Sequence, residues 1–502
     1  MIDFIVAYPY LTIWVFLLVM FERAAYLGLV VDDDVWHKKV HDAKKEWREK
    51  KRGFVSLLMN FSYGAGMFYQ PRWDHLATIV LHGINCSLIC RAFGLPVALL
   101  YLINPINNQT VIWLNGRRYA LATLCVLIAW NFWWTAPFMA FVGIQIHITG
   151  AMMPLLFLWT PYWIVLPFVA GISFIMGRRW IPEKILQRRA DFKPGNENQK
   201  ITWKKLIIFV KTIGYQFWNC ILPNKPAMYH DFLFYFSSTD AGTKEGYKLN
   251  WDFWKGCLVI TFLAYDHSFF AFWFVLFIAQ WCNLYQVTMN ASDRYTCLAC
   301  IGVMALVVKY AVMLPFGNYV IVALAVFYIV KYQPLFMAYR NVENFHLYHI
   351  TQQPDIINPR FFLSKIYIAR KDPYSAFAVI KQGMRYRPHD FKMMLGFIEC
   401  LFELGKPTSA LKAMEICEKY IPFGEEKDCK ALFDGIRKQF SREYDALQKS
   451  RDEIDKMTPD QLFDEMEKIK NKTSTLTVSK RAKVQELYKK INGVKIGGIK
   501  NG

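Results

Sequence analysis

Three adjacent carboxylates, Asp32, Asp33 and Asp34, follow the first apolar run of the chain. At a membrane–water boundary such neighbours repel one another, which raises at least one pKa and keeps a base close to the apolar phase. The set reads either as a general base or as a solvated stop at a helix end. Further on, Tyr69-Gln70-Pro71-Arg72 precedes Leu81-His82-Gly83-Ile84-Asn85, where His82 and Asn85 share one helix face and can both point inward. Polar residues inside an apolar helix either line a site or bond neighbouring helices. Arg117 and Arg118 follow Gly116, and paired arginines can hold a phosphate bidentately or anchor a helix at an interface. Asp293 and Arg294 place an acid beside a base just ahead of another apolar run, as a second polar site or as a local ion pair.

The elements that would position these residues are apolar. The 502 residues are 54% apolar and 17% aromatic, with a formal charge of +20, which excludes disordered, collagen-like and disulfide-scaffold chains. The first run, residues 5–21, lacks the basic leader and small-residue cleavage site of a signal peptide. Further apolar runs lie at 76–93, 95–113, 120–134, 137–150, 152–176, 206–222, 257–265, 269–285, 298–314 and 319–330. They predict about eleven crossings in a polytopic, all-α membrane bundle over residues 1–335. The basic stretch 178–205 orients the chain with the N-terminus inside and the C-terminal region outside. Lysines 38 to 51 contradict that count unless they meet anionic lipid. With the charge distributed in this way, nucleic acid is not a partner.

Residues 336–440 repeat. Pro373-Tyr374-Ser375-Ala376 recurs as Pro407-Thr408-Ser409-Ala410, and Tyr386-Arg387-Pro388 as Tyr420-Ile421-Pro422, each displaced by 34 residues. That period, with Ala at the helix contact and Pro closing the second helix, is the tetratricopeptide signature, and such arrays present a groove to peptides. With about two visible units, either a third, degenerate helix pair near 428–440 or docking on the membrane part is needed to complete the stack, and 441–502 forms a charged, first helical and then mobile tail. The cysteines, 11 in number, point to neither zinc nor a disulfide framework. No cofactor is certain, and a divalent metal is left open without being indicated.

The order of these features resembles the transmembrane and tetratricopeptide-repeat O-mannosyltransferases, membrane glycosyltransferases of the GT-C fold. The resemblance runs over about residues 1–425: the Asp pair after the first span, Tyr69 with Pro71, Leu81-His82 with Asn85, Asn104-Pro105, Gly116-Arg117, Phe272-Trp273-Phe274 and Asp293-Arg294-Tyr295. Departures are the shuffled Gln70 and Arg72, Asn104 in place of a His, and Arg118-Tyr119 in place of an acid. The resemblance implies a catalytic role for Asp32 and Asp33, with Asp34 beside them. It implies donor or lipid-phosphate contacts at Tyr69, Arg72, His82, Asn85, Arg117, Arg118, Asp293 and Arg294.

The implied reaction is inverting transfer of a mannose-like sugar from a polyprenyl or dolichyl phosphate to a Ser/Thr hydroxyl or glycan. The implied setting is a bacterial inner membrane or endoplasmic reticulum membrane, with the repeats on the non-cytoplasmic side holding a polypeptide acceptor. The competing reading is a non-enzymatic, membrane-anchored tetratricopeptide scaffold for protein–protein interaction. An open polar pocket favours the enzyme, and a bundle packed shut favours the anchor. A transporter would require pseudo-symmetric halves, which the sequence does not display.

Overall fold

A computed structural model describes residues 7–27, 71–147, 152–157, 203–226, 248–282, 292–388, 390–421 and 426–441, together with isolated residues elsewhere. Every described element is helical. The chain divides into two compact units, Met1–Phe236 with Ala241–Ile356, and Ser237–Asp240 with Ile357–Gly502. In the first unit α1 is Pro9–Phe21, α2 Pro71–Phe93, α3 Leu95–Ile103, α4 Arg117–Asn131, α5 Ala136–Ile146 and α6 Trp203–Ile221. These are followed by α7 Trp251–Asp266, α8 Phe269–Ala279, α9 Asp293–Ala311, α10 Gly317–Ala338 and α11 Val342–Gln352.

The expected eleven-crossing GT-C bundle is not what these helices form. Among the described residues four segments are long and apolar enough to span a bilayer: Pro9–Tyr26, Pro71–Phe93, Asp293–Ala311 and Gly317–Ala338. Several of the other apolar runs, among the described residues, are cut short by their own backbone. Gly94, at φ 90°, ends α2 and leaves α3 with 9 residues. His267, at φ 34°, parts α7 from the 11-residue α8. A 3-10 turn at Trp133–Thr135 separates α4 from the 11-residue α5. At 1.5 Å per residue these pieces reach about 14–17 Å, roughly half of a ~30 Å hydrocarbon layer.

The multi-pass localisation with outward-facing repeats is corrected on the same ground. Even α9 is 78% buried within the protein and so behaves as an interior helix, whereas α10 is only 22% buried. Most of the orienting stretch 178–205 and the conflicting basic stretch 35–52 lie outside the described residues, as do the end of the tail and most of the 152–176 run.

Packing in the first unit relies on close backbone approaches. A Cβ on Gly214 of α6 would lie 2.5 Å from the Cα of Gly256 in α7, so both positions need hydrogen for the helices to cross. The ends of α6 show how the buried backbone is satisfied. Its last carbonyls have no helical acceptor role left. Asn104 Nδ2 donates to Cys220 O at 2.8 Å, and Tyr328 Oη of α10 donates to Ile221 O at 2.8 Å. Asn104 Oδ1 meanwhile accepts from Ile106 N at 3.0 Å and starts the turn after α3. One amide therefore ties the turn after α3 to the end of α6.

At the end of α7 the Asp266 carboxylate accepts from Lys309 Nζ and Tyr310 Oη, each at 2.5 Å, and from Ser268. Burial pushes this carboxyl up, but the hydrogen bonds from Lys309, Ser268 and Tyr310 outweigh it and hold the pKa at about 2.

The second unit is a succession of antiparallel helices: α12 Asn358–Ala369, α13 Pro373–Tyr386, α14 Phe391–Glu403, α15 Pro407–Cys417 and α16 Glu426–Gln439. Pro373 and Pro407 both stand in the first turn of a helix, where a missing N–H costs nothing. Ala376 and Ala410 are both fully buried. The turns repeat as well. Lys371 (φ 61°) and Gly405 (φ 66°) are both left-handed. Asp372 N bonds Tyr367 O at 2.9 Å, and Lys406 N bonds Leu401 O at 2.9 Å, the same C-terminal cap 34 positions on. Equivalent positions of α12 and α14 also touch: Lys392 Nζ donates to Asn358 Oδ1 at 3.1 Å, and Lys365 pairs with Glu399.

Lys371 adopts a conformation that a side chain disfavours by about 1–2 kcal/mol, so Lys371→Gly is expected to stabilise the second unit by about 1 kcal/mol, and Gly405→Ala to destabilise it similarly. Denaturant unfolding followed by circular dichroism checks both. For Asp266 the folded pKa lies below the ordinary carboxylate value, so its contribution is present above about pH 4 and disappears as pH falls toward 2. Stability should fall by about 2 kcal/mol across that window. In Asp266→Asn that increment of acid sensitivity should be missing from thermal unfolding measured from pH 2 to 6.

Candidate functional site

The polar residues of the first unit gather where α2, α3, α4 and α9 meet the turns of residues 104–116. Arg117 opens α4 at 2% exposure. Its Nε donates to Thr78 Oγ1 at 2.9 Å and its guanidinium also bonds the carbonyl of Asp74, both on α2. The Asp74 carboxylate, fully buried, stands 3.8 Å from the same guanidinium. Gly116 precedes it because a Cβ there would fall 1.6 Å from Gln109 O. The tight approach that places Arg117 thus depends on glycine.

His82 and Asn85 are both 1% exposed. His82 Nε2 lies 3.1 Å from Leu102 O of α3, with its ring between those of Phe21 and Tyr101. Asn85 Nδ2 donates to Ala120 O of α4 at 2.9 Å. Each residue ties α2 to a different neighbour. Arg72 is exposed, and it stacks on the Tyr26 ring at 4.6 Å and donates to its hydroxyl at 3.0 Å. Arg118 lies over the ring of Tyr119 at 5.6 Å.

At the start of α9, Asp293 is fully buried and accepts from Asn219 Nδ2 of α6 at 3.0 Å. Arg294, 6% exposed, has the rings of Trp113 and Tyr295 each 5.2 Å from its guanidinium carbon and that of Tyr119 at 6.0 Å. Tyr295 in turn stacks on Trp281 at 4.1 Å. Desolvated cation–π contacts of this kind are worth about 0.5–2 kcal/mol each. One turn further along, Cys297 Sγ lies 3.0 Å from Tyr101 Oη and 3.7 Å from Thr110 Oγ1. Ser292 Oγ donates to Gln109 Oε1 at 2.9 Å, and Tyr339 Oη to Asn108 Oδ1 at 3.0 Å.

The structure therefore brings Arg117, Asn85 and Arg294 into one buried polar belt through α4, and it places Arg72 on the surface. Asp32, Asp33, Asp34 and Tyr69 lie outside the described residues. Sequence reading overlooked Asp74 and Thr78, the partners of Arg117 from 43 and 39 positions upstream, because nothing local marks so distant a pairing. It also passed over the ring set around Arg294, of which only Tyr295 is a neighbour in sequence. Chemically the belt is a set of interhelical fasteners: cations are neutralised or ring-stacked, and amides bond the carbonyls of other segments.

No protein-family model, no curated protein and no solved structure matches the chain. The resemblance to the O-mannosyltransferases is corrected accordingly. Its short motifs are present, but the many-span bundle on which that family's chemistry depends is not formed by the described helices. The assignment as a lipid-phosphate-sugar-dependent glycosyltransferase falls with it. Among the described residues no group of three or more His, Cys, Asp or Glu side chains is placed to hold a metal, and the buried acids Asp74 and Asp293 are engaged by Arg117 and Asn219. The tetratricopeptide label is corrected too: no family model matches there, and the described residues contain two helix pairs and one further helix, fewer than the three pairs such an array needs.

Arg117→Ala should leave Asp74 buried without its cation and cost on the order of 3–5 kcal/mol. Thermal unfolding of the purified protein checks this, with Arg72→Ala, at the surface, expected to change stability by less than about 1 kcal/mol.

Proposed function

We propose that this chain is a non-enzymatic, membrane-anchored helical scaffold whose paired C-terminal helices hold protein partners. The observation that carries the reading is the engagement of the polar belt. Arg117, His82, Asn85, Asp293 and Arg294 are all 6% exposed or less, and each binds a backbone carbonyl, a neighbouring side chain or an aromatic ring. Residues spent in this way fasten helices.

Anchoring is supported by apolar faces that the protein leaves uncovered. On α10 Tyr319, Val322, Val326 and Val330 are 55% exposed or more, and on α1 Leu18 and Val19 are 62% and 72% exposed. Apolar rows of this size do not persist against water on an ordinary soluble surface. Partner holding is supported by the second unit, whose helix pairs place equivalent residues side by side and so generate an extended surface with a regular spacing.

Val322→Lys with Val326→Lys puts two charges on the uncovered face of α10, each costing about 2.5–3.5 kcal/mol in hydrocarbon. The double variant should lose most of its alkali-resistant membrane fraction while its purified helical content is preserved. Unchanged membrane retention would overturn the anchor. A photo-crosslinking residue at Tyr374 or Ile416, both exposed on the second unit, should yield discrete protein adducts.

A further inference from the structure

The two helix pairs of the second unit differ sharply in charge. Residues 358–388 contain seven Lys or Arg against the single acid Asp372, whereas residues 391–421 contain four of each sign. Several of the seven are occupied: Arg360 is 1% exposed and donates to Gln382, and Lys365 pairs with Glu399. Lys381 and Arg385 are exposed and form no ion pair with any described residue.

Both project from α13 in one stripe with Tyr374 and Ala378, at positions i, i+4, i+7 and i+11, which share a helix face. Tyr374 is 77% exposed and Tyr386, at the far end of the helix, 50%. Between them Ala378, Val379, Lys381, Gln382 and Arg385 line a surface depression of about 410 Å³.

From this stripe we infer that α13 is the docking face for an acidic peptide segment bearing apolar side chains, a proposal that rests on the scaffold reading. Two cations one turn apart are matched by carboxylates of an extended chain, and Ala378 and Val379, one turn before them, add apolar surface to the same depression. Nucleic acid presents a charge every ~1.7 Å and calls for a longer basic track than two residues. At about 3.3 Å per residue, roughly seven extended residues cover the ~21 Å length of α13.

The test uses the full chain in detergent and a fluorescein-labelled peptide of roughly eight residues alternating Glu and Phe, read by fluorescence anisotropy. Lys381→Glu with Arg385→Glu should weaken binding by about tenfold or more, and added salt should weaken the wild type alone. Lys406→Glu with Lys419→Glu, exposed on the charge-balanced pair, should change it by less than about twofold. Equal loss in both double variants, or no loss in the first, overturns the proposal. So does binding to phosphatidylserine vesicles or to a single-stranded RNA oligonucleotide that depends on Lys381 and Arg385 while the peptide fails to bind. If these results go against α13 but crosslinking at Ile416 still gives protein adducts, the docking face is wrong and the scaffold stands. Absence of adducts at both crosslinking positions removes the scaffold itself.

Discussion

The burial of Arg117, 2% exposed, imposes a strict constraint on the apolar unit. A guanidinium inside protein has to be neutralised and bonded, since an isolated charge there costs several kcal/mol. Asp74 and Thr78 supply that from α2, and Gly116 supplies the approach by leaving room for the carbonyl of Gln109. With α2 and α4 held in this way, Asn85 reaches Ala120 O, and Tyr119 comes to the guanidinium of Arg294 on α9. The belt is thus a chain of dependences that starts at one cation.

The same accounting explains why the unit contains broken helices. Each interruption frees backbone groups that neither lipid nor an apolar core can satisfy. Asn104 and Tyr328 answer for the end of α6, Asn107 Nδ2 for the carbonyl of Tyr101 at 2.7 Å, and Tyr348 for Pro226 O at 3.1 Å. Asparagine and tyrosine in an apolar chain look like parts of a reactive site, but their geometry is that of caps. The surfaces left uncovered are the apolar faces on α1 and α10, and it is these and the helix pairs of the second unit that the proposed scaffold would use.

In the second unit local rules are enough to account for most of what is seen. Helix starts at Pro373 and Pro407, caps at Asp372 and Asp390, and left-handed turns at Lys371 and Gly405 all follow from residues within a few positions of one another. Burial pushes the Asp390 carboxyl above its usual range even though it caps α14 through Met393 N, so this cap works partly against desolvation. The 34-residue register then arranges charge without further instruction: one pair is basic, the next is balanced.

By itself the sequence determined the helical class and the 34-residue recurrence, because each depends on short-range periodicity and turn chemistry. It also contained the apolar runs, but hydropathy measures composition and does not register that Gly94 or His267 turns a run into two short helices. Only the tertiary structure decided that α9 is interior while α10 is uncovered, since both are comparably apolar and differ in what packs on them. It alone decided the roles of the polar residues as well. Arg117 and Asp74 meet across 43 positions, and Asn104 and Cys220 across 116, and contacts at such distances arise from how helices cross, which no neighbouring residue encodes.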